Sequence, residues 1–125
     1  MITLKTTDPI HLDAGETVVI RATVHVGRPS QRGGMSYWFG VSAQQVDSDD
    51  RGENLHGERG ELKALGKATV ELAAHFTAPT TGARYAFCVD AQLGANSGSC
   101  SAGVRQLEVT RTDGSVVFTL PPRVS

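Results

Sequence analysis

The sequence predicts an all-β fold: a single antiparallel β-sandwich of jelly-roll or Ig-like type with seven to eight strands. Three observations carry this. Long segments alternate apolar and polar residues at period two, the spacing that puts successive side chains on opposite faces of a strand. Turn formers separate those segments, among them Asp8-Pro9, Asp13-Ala14-Gly15 and Asp113-Gly114. No stretch shows the periodicity of a long helix.

The clearest alternation lies in residues 68 to 93. Val70, Leu72, Ala74 and Phe76 fall on one face of the first run, with Thr69, Glu71, Ala73, His75 and Thr77 opposite. In the second run Tyr85, Phe87, Val89, Ala91 and Leu93 oppose Arg84, Ala86, Cys88, Asp90 and Gln92. The two runs are joined through Pro79-Thr80-Thr81-Gly82 and read as neighbouring strands whose apolar face needs a second layer.

The remaining elements follow in chain order. Residues 2 to 6 make a short first strand, and residues 10 to 16 lead into the next through the Asp13-Ala14-Gly15 turn. From 16 to 26 the inward set is Val18, Ile20, Ala22, Val24 and Val26, with Arg21 and His25 outward. Residues 27 to 34, GRPSQRGG, read as an exposed loop. From 35 to 46, Met35, Tyr37, Phe39, Val41 and Ala43 face inward, which leaves the single tryptophan, Trp38, on the polar face with Ser36, Gly40, Ser42 and Gln44. Residues 47 to 66 are hydrophilic and aperiodic for most of their length and read as a long polar loop, with a strand or helical turn at Glu61 to Leu65. The last hairpin pairs 103–111 with 115–120 through Thr112-Asp113-Gly114, and Pro121-Pro122 stops the sheet.

At 125 residues the chain reads as one domain, 1–125, large enough for a core without metal support. A net charge of -1 with mixed signs leaves no footprint for nucleic acid or an anionic membrane. The N-terminal MITLKTTDPI lacks the basic and apolar regions of an export signal. Cys88 and Cys100 flank a hairpin-sized loop, so a local disulfide is expected, and with it a setting outside a reducing cytosol.

Several features together resemble the carbohydrate-binding modules of the galactose-binding-like jelly-roll class. They are Leu12-Asp13-Ala14-Gly15-Glu16 before a long strand, the acidic loop at 46 to 52, Phe76-Thr77-Ala78-Pro79 at a strand end, and the final GVRQLEVTR strand. The beginning is shorter than in that class, and the aspartate that opens its last strand is absent. Similar sandwiches also serve as small phage tail or capsid-decoration proteins. The resemblance implies a sandwich that works through its surface.

Trp38 heads the candidate ligand-binding set. With Arg21, His25, Gln44, Asp90 and Gln92 on one sheet it would offer an indole to stack on a pyranose and polar partners for hydroxyls; the alternative is an indole covered by a loop or a neighbouring subunit. Asp47, Asp49, Gly52 and Glu58 match the first, third, sixth and twelfth places of a calcium loop, but Arg51 and Asn54 break the motif. Asp47, Asp49 and Glu58 are therefore weak Ca2+ candidates, and a solvated acidic loop is the stronger reading. The four histidines lack zinc spacing, Ser97, Ser99 and Ser101 lack a nucleophile elbow, and the only carboxylate pair worth naming, Asp90 with Glu71, reads as surface acids.

The sequence thus points to a non-catalytic structural or attachment module. The first expectation is a phage virion component, a minor tail or capsid-decoration protein that contacts other subunits. The alternative is a secreted or particle-borne carbohydrate-binding module for cell-wall or plant polysaccharide. Both place it on a virion or outside the cell, with homo-oligomers open through sandwich edges.

Overall fold

The structure, a computed structural model, describes residues 2–27, 35–47, 52–63, 65–79, 82–94 and 101–120. The expected loop at 28–34, Asp49, Arg51, Thr80-Thr81, Ser97, Ser99, Cys100 and Pro121-Pro122 lie outside the described residues. Among the described residues the chain forms nine strands: β1 (Ile2–Thr6), β2 (Ile10–Leu12), β3 (Thr17–Gly27), β4 (Met35–Gln45), β5 (Glu53–Leu62), β6 (Lys67–Thr77), β7 (Ala83–Leu93), β8 (Ser101–Arg111) and β9 (Val116–Leu120). All pairings are antiparallel and form two sheets. Sheet I runs β1-β7-β4-β5, with β2 also on β7, and sheet II runs β6-β3-β8-β9. No helix of the described residues is long and apolar enough to cross a membrane.

The alternation read from the sequence sets the core. Val18, Ile20, Val24 and Val26 of β3, Phe39 and Val41 of β4, Leu72 of β6, Phe87 and Val89 of β7, and Leu107 and Val109 of β8 are almost completely buried between the sheets. The aromatic rings lock the layers together. Phe76 of sheet II packs edge-on against Tyr85 and Phe87 of sheet I, with ring centroids 4.8 and 5.6 Å apart.

The expected pairing of the two runs in 68–93 is overturned. β6 and β7 belong to different sheets: β6 pairs with β3, and β7 pairs with β1, β2 and β4. Period two fixes which side of a strand meets the core but not which strand lies beside it, and two strands facing each other across a sandwich show the same pattern. The crossing point is visible in the backbone. Ala78 N donates to Glu16 O at 2.8 Å and Ala78 O accepts from Gly15 N at 3.1 Å, so the chain is still held to the start of β3 before it crosses to sheet I.

The polar loop expected at 47–66 is also corrected over half of its length, because residues 53–62 are strand β5. Its polarity hides it. β5 pairs only with β4, and an edge strand is specified by backbone pairing on one side while charged side chains protect the other. With β5 and the separate β2, nine strands replace the expected seven to eight.

Two local devices finish the frame. Thr7 joins β1 to β2 as a continuous edge: its N–H donates to Phe87 O at 2.9 Å, and its hydroxyl accepts from Phe87 N at 3.0 Å. At the final hairpin Gly114 takes φ +91°, and Asp113 accepts hydrogen bonds from Ser115 N at 2.8 Å and Ser115 Oγ at 2.6 Å.

Candidate binding face on sheet I

The outer face of sheet I carries side chains in rows set by the strand register. One row is Arg59, Trp38 and Gln92, directly opposite one another on β5, β4 and β7. The next is Gly57, Gly40, Asp90 and Thr3, and the third is Asn54, Ser42, Cys88 and Thr6. The alternation of β4 puts Trp38, Gly40 and Ser42 on this face because Phe39 and Val41 are drawn into the core.

The two glycines of the middle row receive the tryptophan. A Cβ on Gly40 would collide with Trp38 Cη2 and Cζ2, and one on Gly57 would lie 2.7 Å from Trp38 Cε2 and 2.8 Å from Cζ2. The ring therefore leans down over a gap that two facing glycines leave in the sheet. This half-buries the indole and fixes its position while one side stays toward solvent.

Asp90 stands beside Gly40 and is itself held. Its Oδ1 accepts from Thr3 Oγ1 at 3.0 Å, and its Oδ2 accepts from Ser42 Oγ at 2.8 Å. Two shallow depressions flank the row. The first is lined by Trp38, Asp90, Asn54, Ser42 and Gln44 among others, the second by Ser36, Tyr37 and Glu61, and both share Trp38, Arg59 and Gln92.

Four of the six expected ligand-binding residues, Trp38, Gln44, Asp90 and Gln92, thus share one surface. Arg21 and His25 do not join them. They lie on β3 and point from the outer face of sheet II, on the far side of the sandwich, with Arg21 opposite Ala73 and Glu108. Glu71 lies on that far face too, which separates it from Asp90 by both sheets. Arg59, Asn54 and the glycine gap are not foreseen from the sequence, because all of them depend on β5.

The expected disulfide is not formed. Cys88 is a free thiol whose Sγ accepts from Thr6 Oγ1 at 3.6 Å in mid-sheet I, and the described chain resumes at Ser101 in sheet II, beside Gly27.

The weak Ca2+ candidates have other partners. Asp47 accepts from Arg84 Nη2 at 2.6 Å and from Arg84 Nε at 3.2 Å, and Glu58 lies 2.9 Å from His56 Nε2. Asp47 and Glu58 are not gathered with a third ligand among the described residues. The hydrogen bonds from Arg84 hold the Asp47 carboxyl below its ordinary value. A depressed carboxylate stabilises the fold above its unfolded pKa, about 4, and that contribution disappears as pH falls through the lower folded value. Arg84→Gln should therefore flatten the loss of melting temperature on acidification below about pH 4. Asp113, held down in the same way by Ser115, leaves a residual slope in the variant. Identical melting curves for wild type and variant across this range would show that the pair contributes nothing.

No protein-family model matches this chain, and a search of curated proteins finds no relative.

Proposed function

We propose that this protein is a non-catalytic attachment module that recognises a carbohydrate through the outer face of sheet I, either secreted or carried on a virion. The observation that carries the reading is the Trp38 indole laid over the Gly40–Gly57 gap, with amide, carboxylate and guanidinium side chains around it. A pyranose has an apolar C–H face and a rim of hydroxyls. An aromatic plane binds the face, and fixed polar groups select among the hydroxyls. Asp90 suits the second task because Thr3 and Ser42 hold its carboxylate in one orientation before any ligand arrives.

The test uses Trp38 as its own reporter, since it is the only tryptophan. Titration with cell-wall polysaccharides should give a saturable change in tryptophan emission, and Trp38→Ala should lose at least about tenfold in affinity in a pull-down. A flat titration would sink the carbohydrate reading.

A second reading is a virion subunit, such as a minor tail or capsid-decoration protein, that contacts its neighbours by strand addition. It draws on the edge of sheet II as the described residues form it. β9 pairs with β8 only from Leu107 to Thr110, so Ala102 to Gln106 face no strand on that side among the described residues. An unpaired strand edge is a template for another chain.

A further inference from the structure

We infer that the carbohydrate face is built for an acidic sugar, a hexuronic acid within a polysaccharide, with its carboxylate on Arg59 and its hydroxyls toward Asp90. The inference rests on the carbohydrate reading above and deepens it.

Its basis is the charge arrangement across the indole. Among the described residues lining the two depressions Arg59 is the only lysine or arginine, and it lines both. It is exposed, sits directly opposite Trp38 across the β4–β5 ladder, and makes no ion pair or cation–π contact among the described residues. Its guanidinium is thus available as a fork that matches a carboxylate. On the opposite flank Asp90 is the only acid among the described residues lining the first depression. Glu61, the acid of the second depression, follows Arg59 by two residues along β5 and forms no ion pair with it.

The separation matches one sugar. Arg59 lies on β5 and Asp90 on β7, with β4 between them and one row apart, so their backbones are about 12 Å apart at the usual strand spacing and rise. Less the lengths of the two side chains, that span is of the order of one pyranose ring. A neutral sugar would leave the guanidinium without an anionic partner. A ligand with charge all round would meet Asp90 unfavourably. A hexuronic acid has a carboxylate on C5 at one end of the ring and hydroxyl donors at the other, and it satisfies both groups at once.

The experiment compares polygalacturonate and alginate with neutral galactan of similar length, following Trp38 emission at two salt concentrations. Acidic polymers are expected to bind at least about tenfold more tightly than galactan at low salt, and Arg59→Gln should remove that preference while keeping weak binding. Raising ionic strength should weaken the wild type more than the variant, because a solvent-facing charge pair is screened. Galactan binding as tightly as the acidic polymers, or an unchanged preference in Arg59→Gln, would overturn the acidic-sugar assignment and leave the carbohydrate reading in place. No binding to any of the three polymers, with Trp38 emission flat throughout, would overturn both.

Discussion

Gly57→Ala is expected to weaken carbohydrate binding by at least about tenfold while leaving the protein folded, and Gly40→Ala to damage both. At Gly57 the nearest atoms to an added Cβ all belong to the Trp38 indole, so the ring has to lift while the backbone stays in place. The displaced ring loses its support, its emission moves to the red, and affinity falls by at least about tenfold. Stability should change by less than about 1 kcal/mol, since a strand glycine is replaced at an exposed edge. At Gly40 the added Cβ meets the same ring and also His56 O at 2.9 Å, an atom of the neighbouring backbone that cannot rotate away. The strands must part locally, at a cost of about 2 kcal/mol. Urea denaturation combined with tryptophan emission separates the two outcomes. An unshifted emission maximum and unchanged affinity in Gly57→Ala would show that the glycine gap does not position the indole.

Phe87→Ala should be the most destabilising single change in the core, costing about 3–5 kcal/mol. The side chain has no exposed surface, and its ring meets Phe76 of the opposite sheet at an interplanar angle of 88°. Its backbone is committed too, since both its N–H and its C=O bond to Thr7. The site therefore has little freedom to collapse around a cavity, and cavity costs are highest where collapse is prevented. Against a total of about 5–15 kcal/mol for a domain of this kind, the variant should unfold at a much lower urea concentration. Leu65→Ala is the control: Leu65 is 56% exposed and should leave the midpoint unchanged. A loss below about 1 kcal/mol for Phe87→Ala would mean that the sheets do not meet as described.

Period-two alternation makes four strands legible in the sequence. β3, β4, β6 and β7 each bury one face along most of their length, so their inward residues follow from the pattern of apolar positions. The Asp113-Gly114 hairpin is legible for a related reason, because its local backbone chemistry allows few alternatives. Partner choice is not legible. Phe76 and Tyr85 lie close in sequence and touch in space, yet across the core and from different sheets. Alternation alone accordingly groups Arg21 and His25 with Trp38, although two sheets separate them. β5 escapes sequence reasoning because its positions in register with Phe39 and Val41 are the polar Glu58 and His56, so no apolar alternation marks it, and Gly57 and Arg59 are hidden with it. One part of the binding face does leave a local signal: Gly40 follows Trp38 by two residues, the same-face spacing, and marks room for the ring beside it.

The order in which the strands join their sheets bears on how the chain acquires its fold. β3 forms the centre of sheet II, but the strands that flank it, β6 and β8, begin at Lys67 and Ser101. β1 waits similarly for β7, which begins at Ala83. Little of the sandwich can therefore close while the chain is emerging from a ribosome, and the entropy of long loops is lost before most native pairings can form. Folding is accordingly expected to be a late, nearly all-or-none event on the millisecond-to-second scale of high-contact-order sandwiches. Until it occurs, the apolar faces of β3 and β4 stand open, and they are the segments a chaperone would have to cover.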